Sequence, residues 1–169
     1  MTATTVTNLD RYGNDPLPWS RARDLLEGAS GTDVRFFLHT TDPDGRPHAT
    51  GIGAVWHDGG LWIVSGPGTR KSRNLAADPR CTVSVPFPSL DLVLEGRAER
   101  VTDADTLERL AAVYRDRGWE AEVAGDAFTA PYSAPSAGPP PWYLYRFVAE
   151  SAVGVAAGEP YGATRWDFE

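Results

Sequence analysis

Residues 61–79 constrain this chain more than any other stretch. An apolar strand, Leu61-Trp62-Ile63-Val64, runs into Ser65-Gly66-Pro67-Gly68-Thr69. The basic pair Arg70-Lys71 follows, then a short helical run from Ser72 to Ala77 that stops at Asp78-Pro79. Glycines let a backbone approach a ligand closely. A helix N-terminus offers N–H groups without intrahelical partners and the positive end of a dipole. Two cations at that spot complete the chemistry of a phosphate site. The alternative is that Arg70, Lys71, Arg73 and Arg80 simply cover a solvated helix face. Against it stand the Gly-Pro-Gly run and the flanking strand, in a chain whose net charge is −7. The segment matches neither G-x-x-x-x-G-K-[ST] nor G-x-G-x-x-G.

A length of 169 residues suggests one domain, and 41% hydrophobic content supports a globular core. The acidic balance argues against a general nucleic-acid binder. One cysteine, Cys81, leaves no internal disulfide, which suits a reducing cytoplasm. A charged-then-apolar leader and an apolar run of membrane-spanning length are both missing, so a soluble, cytoplasmic protein without a membrane partner is expected. Met1 to Asn8 are mostly small and polar. Residues 1–18 are therefore read as a flexible N-terminal segment ahead of one domain, 19–169.

The order of elements is mainly β. Ser20 is a candidate N-cap for a first helix whose Ala22, Leu25 and Leu26 share a face. Arg35–Thr40, His48–Trp56 and Leu61–Ser65 read as three strands joined by the turns Asp42-Pro43-Asp44-Gly45 and His57-Asp58-Gly59-Gly60. Gly51 and Gly53, inside the second strand, mark a bulge or a close approach to a ligand. Cys81–Val85 and Asp91–Val101 are further strands. Thr102 is expected to cap a helix running to about Gly118, striped by Leu107, Leu110, Ala111 and Tyr114. Residues 122–141, rich in Pro, Ala, Gly and Ser, read as a lid or a disordered excursion. Trp142–Val148 is a strand that can continue to Val155. Six or seven mostly antiparallel strands with few helices predict a closed or nearly closed barrel of the α+β, mainly β class.

Several stretches resemble the pyridoxamine 5'-phosphate oxidase-like split-barrel superfamily, from about Arg35 to Phe168. They are Asp44-Gly45-Arg46-Pro47-His48, Arg70 to Arg80, and Leu94-Glu95-Gly96-Arg97-Ala98. Thr164-Arg165-Trp166 resembles the tail of its actinobacterial flavin/deazaflavin oxidoreductase branch, although Asp167 stands where relatives often carry a basic residue. The resemblance implies a six- or seven-stranded antiparallel split β-barrel with a few flanking helices. It further implies a homodimer with a cofactor at the subunit interface. On that reading Arg70 and Lys71 hold the cofactor phosphate, with Ser65, Gly66, Thr69 and Asn74 around it. Thr50, Gly51 and Ile52 run along the cofactor ring, and Arg165 and Trp166 wall a substrate pocket. Val83, Val85 and Val93 either face the partner subunit or belong to the core.

A cofactor that carries the redox chemistry leaves the protein to bind, orient and exclude water, which suits a chain with no G-x-S-x-G motif. The leading expectation is an oxidoreductase using the deazaflavin coenzyme F420, and next FMN, acting on a small conjugated molecule. The alternatives are an FMN-dependent oxidase or flavin reductase, and a non-catalytic cofactor- or haem-binding barrel. His39, His48 and His57 read as turn histidines rather than metal ligands. Cys81 reads as buried rather than reactive, and Trp62 and Trp142 read as core.

Overall fold

The computed structural model describes residues 3–29, 34–134 and 137–169. Eleven strands and three helices follow in the order β1 (Ala3–Asn8), α1 (Trp19–Gly28), β2 (Phe36–Thr41), β3 (Pro47–Ile52), β4 (Ala54–His57), β5 (Gly60–Ser65), α2 (Arg70–Ala77), β6 (Arg80–Phe87), β7 (Leu90–Val101), α3 (Ala104–Asp116), β8 (Glu122–Ala124), β9 (Ala127–Thr129), β10 (Tyr143–Ala156) and β11 (Ala163–Phe168). Nine of the strands form one antiparallel sheet, and β8 and β9 form a separate hairpin.

The long strands β7 and β10 are the spine. They pair from Leu144↔Val101 to Ala156↔Leu90, with a bulge between Ala149 and Ser151. On its other edge β10 changes partner along its length. Tyr143–Phe147 pair with β5, whereas Ser151–Val155 pair with β11. Around the first half of β10 the sheet curls through β7, β6 and β2 to β3 on one side, and through β5 to β4 on the other. Only Gly53 separates β3 from β4. The stretch expected as one strand, His48–Trp56, is thus two strands that pair with different neighbours. The ladder does not close across this break, which gives the split barrel its opening.

Alternation along the strands explains the curl. In β7, Leu90, Leu92, Leu94 and Ala98 point inward, while Asp91 and Val93 point out. They meet Leu38, Leu61, Ile63, Val83, Val85 and Phe147 in a first core that also takes Ala22 and Leu26 of α1. Val83 and Val85 are therefore interior residues and cannot face a partner. Val93 is exposed. Cys81 belongs to the same core, and burial pushes its thiol up to about 12.

A second core covers the outer face of β4, β5 and β10. The stripe of α3, Leu107, Leu110, Ala111 and Tyr114, packs there on Val55, Trp62 and Leu144. The cap of α3 is Asp103 rather than Thr102: its carboxylate accepts the Thr106 N–H at 2.9 Å. The start of α1 also differs, with Pro18 at the N-cap position and Ser20 already helical. Residues 122–141 were expected as a lid or disorder. Leaving aside 135 and 136, which lie outside the described residues, they form the β8–β9 hairpin and a return segment that belong to this core. Phe128 and Trp142 are fully buried, and Trp119 packs against Tyr114, Phe128 and Trp142 with centroids 5.0, 6.1 and 5.3 Å away.

The N-terminal strand is a further departure. Residues 1 and 2 lie outside the described residues, but Ala3–Asn8, expected to be loose, pair with β11 as an edge strand. Polar side chains on an edge strand need no buried face, so composition alone hides it. The tail itself is anchored by Trp166, which is fully buried against Trp19 at 5.5 Å and donates its indole N–H to the Leu17 carbonyl at 3.0 Å. A Cβ at Gly154 would lie 2.7 Å from the Trp166 ring, so the glycine makes room for the indole.

Two outcomes follow from this packing. Trp166→Ala leaves a large cavity and an unpaired carbonyl, and should lower the unfolding free energy by about 3–5 kcal/mol in urea titration. The packing assignment fails if the loss is under about 1 kcal/mol. At Gly66, a Cβ would run into the Ala137 carbonyl. Gly66→Ala should therefore expose the 122–141 segment to limited proteolysis while α3 and the barrel stay resistant; an unchanged cleavage pattern would contradict the contact.

Candidate cofactor site

The loop after β5 is organised by hydroxyl groups. Ser65 ends β5 fully buried, opposite Tyr143 of β10. Its Oγ lies 3.0 Å from Thr69 Oγ1 and accepts the Ser72 hydroxyl at 2.8 Å. Thr69 also bonds the Gly66 carbonyl at 2.8 Å and, as the N-cap of α2, accepts the Ser72 N–H at 3.3 Å. The helix therefore begins at Arg70, two residues before the expected start at Ser72. The remaining N–H groups of its first turn project from the helix end, where the dipole favours negative charge.

The four basic residues behave differently from one another. Arg80 forms a fork with Asp78, and this pair holds the Asp78 carboxyl down at about 2. Arg73 turns back onto the Gly68 carbonyl. Arg70 reaches across to the β2–β3 turn and meets Asp42 at 2.8 Å. Asp42 is already fixed there by the N–H groups of Arg46 and Asp44, and those bonds together with Arg70 hold its carboxyl below the ordinary value. Lys71 is unlike the other three. It is only 5% exposed, and burial holds its ammonium below the ordinary lysine value. A solvated helix face would not bury its lysine.

Asn74 is also buried, and its amide donates to Thr40 Oγ1 at 2.9 Å. It ties α2 to β2 and so positions the helix. Gly66 packs beneath the Ala137 carbonyl, as described above, while Gly68 has open space in front of it. Thr50, Gly51 and Ile52 lie on β3, whose far edge takes no strand of the sheet among the described residues. Gly51 faces open space, so a flat ring can approach its backbone closely.

The tail residues lie elsewhere. Ser65 pairs with Tyr143, whereas Trp166 pairs with Ala152, nine residues further along β10 and roughly 30 Å of strand away. With its ring sealed in the first core, Trp166 does not wall a pocket. Arg165 is held between Asp167 at 2.9 Å and Glu95 at 3.2 Å, which raise it above its ordinary value. The acidic Asp167 thus neutralises its neighbour. The arrangement brings together Ser65, Gly66, Thr69, Arg70, Lys71 and Asn74 but not Arg165 and Trp166. Sequence reasoning missed Ser72 and Asp42; a hydroxyl three residues beyond a candidate N-cap threonine was the available signal for the first.

Of the histidines, His39 Nε2 lies 2.8 Å from Ser84 Oγ and His57 lies 3.3 Å from Asp58. Among the described residues no group of three or more His, Cys, Asp or Glu stands together for a metal, and no helix is long and apolar enough to cross a membrane.

The residues present fit a phosphate-bearing cofactor on structural grounds: a buried ammonium beside a capped helix N-terminus, a glycine with open space before it, and an unpaired strand edge. Comparison with known proteins bears on the same region. Among solved structures the fold is similar to an F420 reductase, at 20% identity over 77% of this chain and 94% of that one, with a TM-score of 0.54. It is similar to a NimC/NimA family protein from Clostridium acetobutylicum, at 15% identity over 88% and 91%, with a TM-score of 0.58. It also resembles the conserved hypothetical protein Rv2991 from Mycobacterium tuberculosis, at 20% identity over 94% and 89%, with a TM-score of 0.58. At these identities the likeness concerns the fold. No curated protein matches. The family model of pyridoxamine 5'-phosphate oxidase matches residues 23–137, a span that runs from α1 through β2–β9 to the return segment. By that match the chain belongs to the pyridoxamine 5'-phosphate oxidase family.

Proposed function

We propose that the protein is an oxidoreductase that holds a phosphate-bearing flavin-type cofactor, the deazaflavin coenzyme F420 in preference to FMN, between two copies of the chain, and that hydride passes to or from a small conjugated molecule. The observation that carries this reading is the burial of Lys71 at the N-terminus of α2. The helix end beside it favours negative charge, and a cation carried on its first turn suits a phosphate. The likeness of the fold to an F420 reductase supports the choice between cofactors.

The cofactor, when bound, supplies the hydride chemistry. Lys71 and the first turn of α2 hold the phosphate. The hydroxyls of Ser65, Thr69 and Ser72 fix the loop in advance, so little ordering remains to be done on binding. Arg70 sits at the rim with its own side chain about half exposed, so it can exchange its half-buried Asp42 partner for phosphate. The edge of β3 from Thr50 to Ile52 offers backbone N–H and C=O groups to the rim of a ring. The opening of the barrel beside this edge is where a second copy would complete the site, and a homodimer is part of the proposal.

Lys71→Ala should weaken cofactor binding by about 1.5–3 kcal/mol, the range of a hydrogen bond to a charged group. Titration of the apo-protein with FMN and with the deazaflavin, followed by fluorescence, measures this. Unchanged affinity in the variant would remove Lys71 from the site, and selective FMN binding by the native protein would replace the deazaflavin.

The depressed Lys71 also gives a pH dependence. A phosphate favours the charged amine, so binding weakens as the amine loses its proton. Affinity should therefore fall as pH rises through the alkaline range below the ordinary lysine value. Lys71→Met should flatten that fall, and a slope that persists in the variant would assign it to another group.

Light scattering on the cofactor-loaded protein should give the mass of two chains; a single-chain mass with cofactor still bound would exclude the shared site.

A further inference from the structure

Of the seven large apolar side chains exposed among the described residues, four stand together: Leu9, Tyr12, Val155 and Tyr161 line one open groove of about 580 Å³. It lies between the segment that joins β1 to α1 and the turn that joins β10 to β11. A neighbouring groove of about 790 Å³ shares Asn14 and Tyr161 with it and carries Pro16, Pro18 and Pro160. None of these residues belongs to the candidate cofactor site. Apolar side chains gathered on a surface and rimmed by polar ones mark places where another molecule sits.

The exposure is not that of a loose loop. The Asp10 carboxylate accepts the Tyr12 and Asn14 N–H groups at 2.8 and 2.9 Å. The Leu9 N–H donates to the Ala163 carbonyl at 2.8 Å, and the Leu17 N–H donates to Thr164 Oγ1 at 2.7 Å. On the other wall, the Ala156 N–H donates to the Gly162 carbonyl at 2.9 Å, and the Arg21 guanidinium holds the carbonyls of Gly158 and Pro160. The backbone beneath the exposed rings is therefore fixed, and little of it has to be ordered when a ligand arrives.

Charge narrows the choice of ligand. Asp10, Asp15 and Glu159 line the two grooves, and Asp91 stands directly opposite Val155. Asp15, Asp91 and Glu159 have no side-chain hydrogen bond or ion pair among the described residues. Arg11 is the one cation among the lining residues, so the rim is net acidic. Two copies meeting through this face would set acid against acid, and an anionic membrane would be repelled. A cationic partner is favoured instead, and its Lys or Arg can lie over the ring of Tyr12 or Tyr161.

Backbone bonding narrows the choice further. The N–H groups of Leu9, Tyr12, Asn14, Leu17 and Ala156 are already engaged, which leaves few donors for a strand to add along these walls. A segment in the polyproline II conformation needs no such ladder and docks among aromatic side chains.

We propose that the paired grooves around Tyr161 are a docking site for an extended, proline-containing segment of another protein that carries Lys or Arg beside its apolar residues. The proposal stands apart from the cofactor reading, since it uses none of the residues of that site.

The probe is a library of short random peptides displayed on phage and selected against the full chain. The enriched peptides should combine proline with Lys or Arg. The strongest of them, made synthetically and followed by fluorescence anisotropy, should bind more weakly as salt is raised. Tyr161→Ala and Tyr12→Ala should each weaken it by about tenfold, and Asp15→Asn combined with Glu159→Gln by about threefold or more. Tyr132→Ala, which removes an exposed tyrosine outside the grooves, should leave it unchanged. All these side chains are exposed, and unchanged circular dichroism checks that the variants fold. Three results would overturn the proposal: a library with no enrichment, enriched peptides that lack basic residues, or peptides that bind Tyr12→Ala and Tyr161→Ala as tightly as the native chain. A dimer that dissociates in Tyr161→Ala would give the face to a second copy and overturn it as well.

Discussion

The close approach of β7 and β10 at Gly96 is the contact on which the rest of the structure depends. A Cβ at Gly96 would collide with the Val148 carbonyl, so the two strands can lie this near only if that residue is glycine. The bulge between Ala149 and Ser151 falls immediately beyond it. Bulges bend a strand and increase its twist. Here the bend separates the half of β10 that pairs with β5 from the half that pairs with β11. One half builds the barrel and carries the loop into α2 through Ser65. The other half carries the tail and its buried tryptophan. Had β10 run straight, the two would share a single flat sheet.

Around α2, hydroxyls, an amide and one ion pair do the holding. Three hydroxyls, from Ser65, Thr69 and Ser72, close the loop on itself. Asn74 and Asp42 tie it to β2 and to the turn that follows. Lys71 is carried into the protein by a helix whose position is set by these bonds. The overall acidity of the chain works in the same direction, because it keeps stray anions away from every surface except the local basic one.

Much of this was legible in the sequence, and the reasons are local. The period-two pattern of Asp91–Val101, the stripe Leu107, Leu110, Ala111 and Tyr114, and the loop from Ser65 to Lys71 each carry their instruction within a dozen residues. Gly96 and Gly53 were visible as features without a geometric meaning, since the meaning lies in a partner strand far away in sequence. The places where reasoning failed share this property. Trp166 sits among polar residues, and only the gap left by Gly154, together with Leu17 and Trp19 from the other end of the chain, makes it a core residue. The 119–142 stretch is poor in bulky residues, yet Trp119, Phe128 and Trp142 bring enough apolar surface to fold it onto α3. Ala3–Asn8 is mostly small and polar and takes its structure from the edge of β11.

That last pairing bears on how the protein is made. Ala3 lies opposite Phe168, so β1 needs a strand distant in sequence as its template. The long β7–β10 ladder likewise waits for residues beyond 143. Contacts this distant in sequence slow folding and prolong the time that strand edges stay unpaired. A threonine-rich strand is well suited to such a wait, because an exposed edge whose one large apolar side chain is Val6 gives neighbouring chains little to stick to.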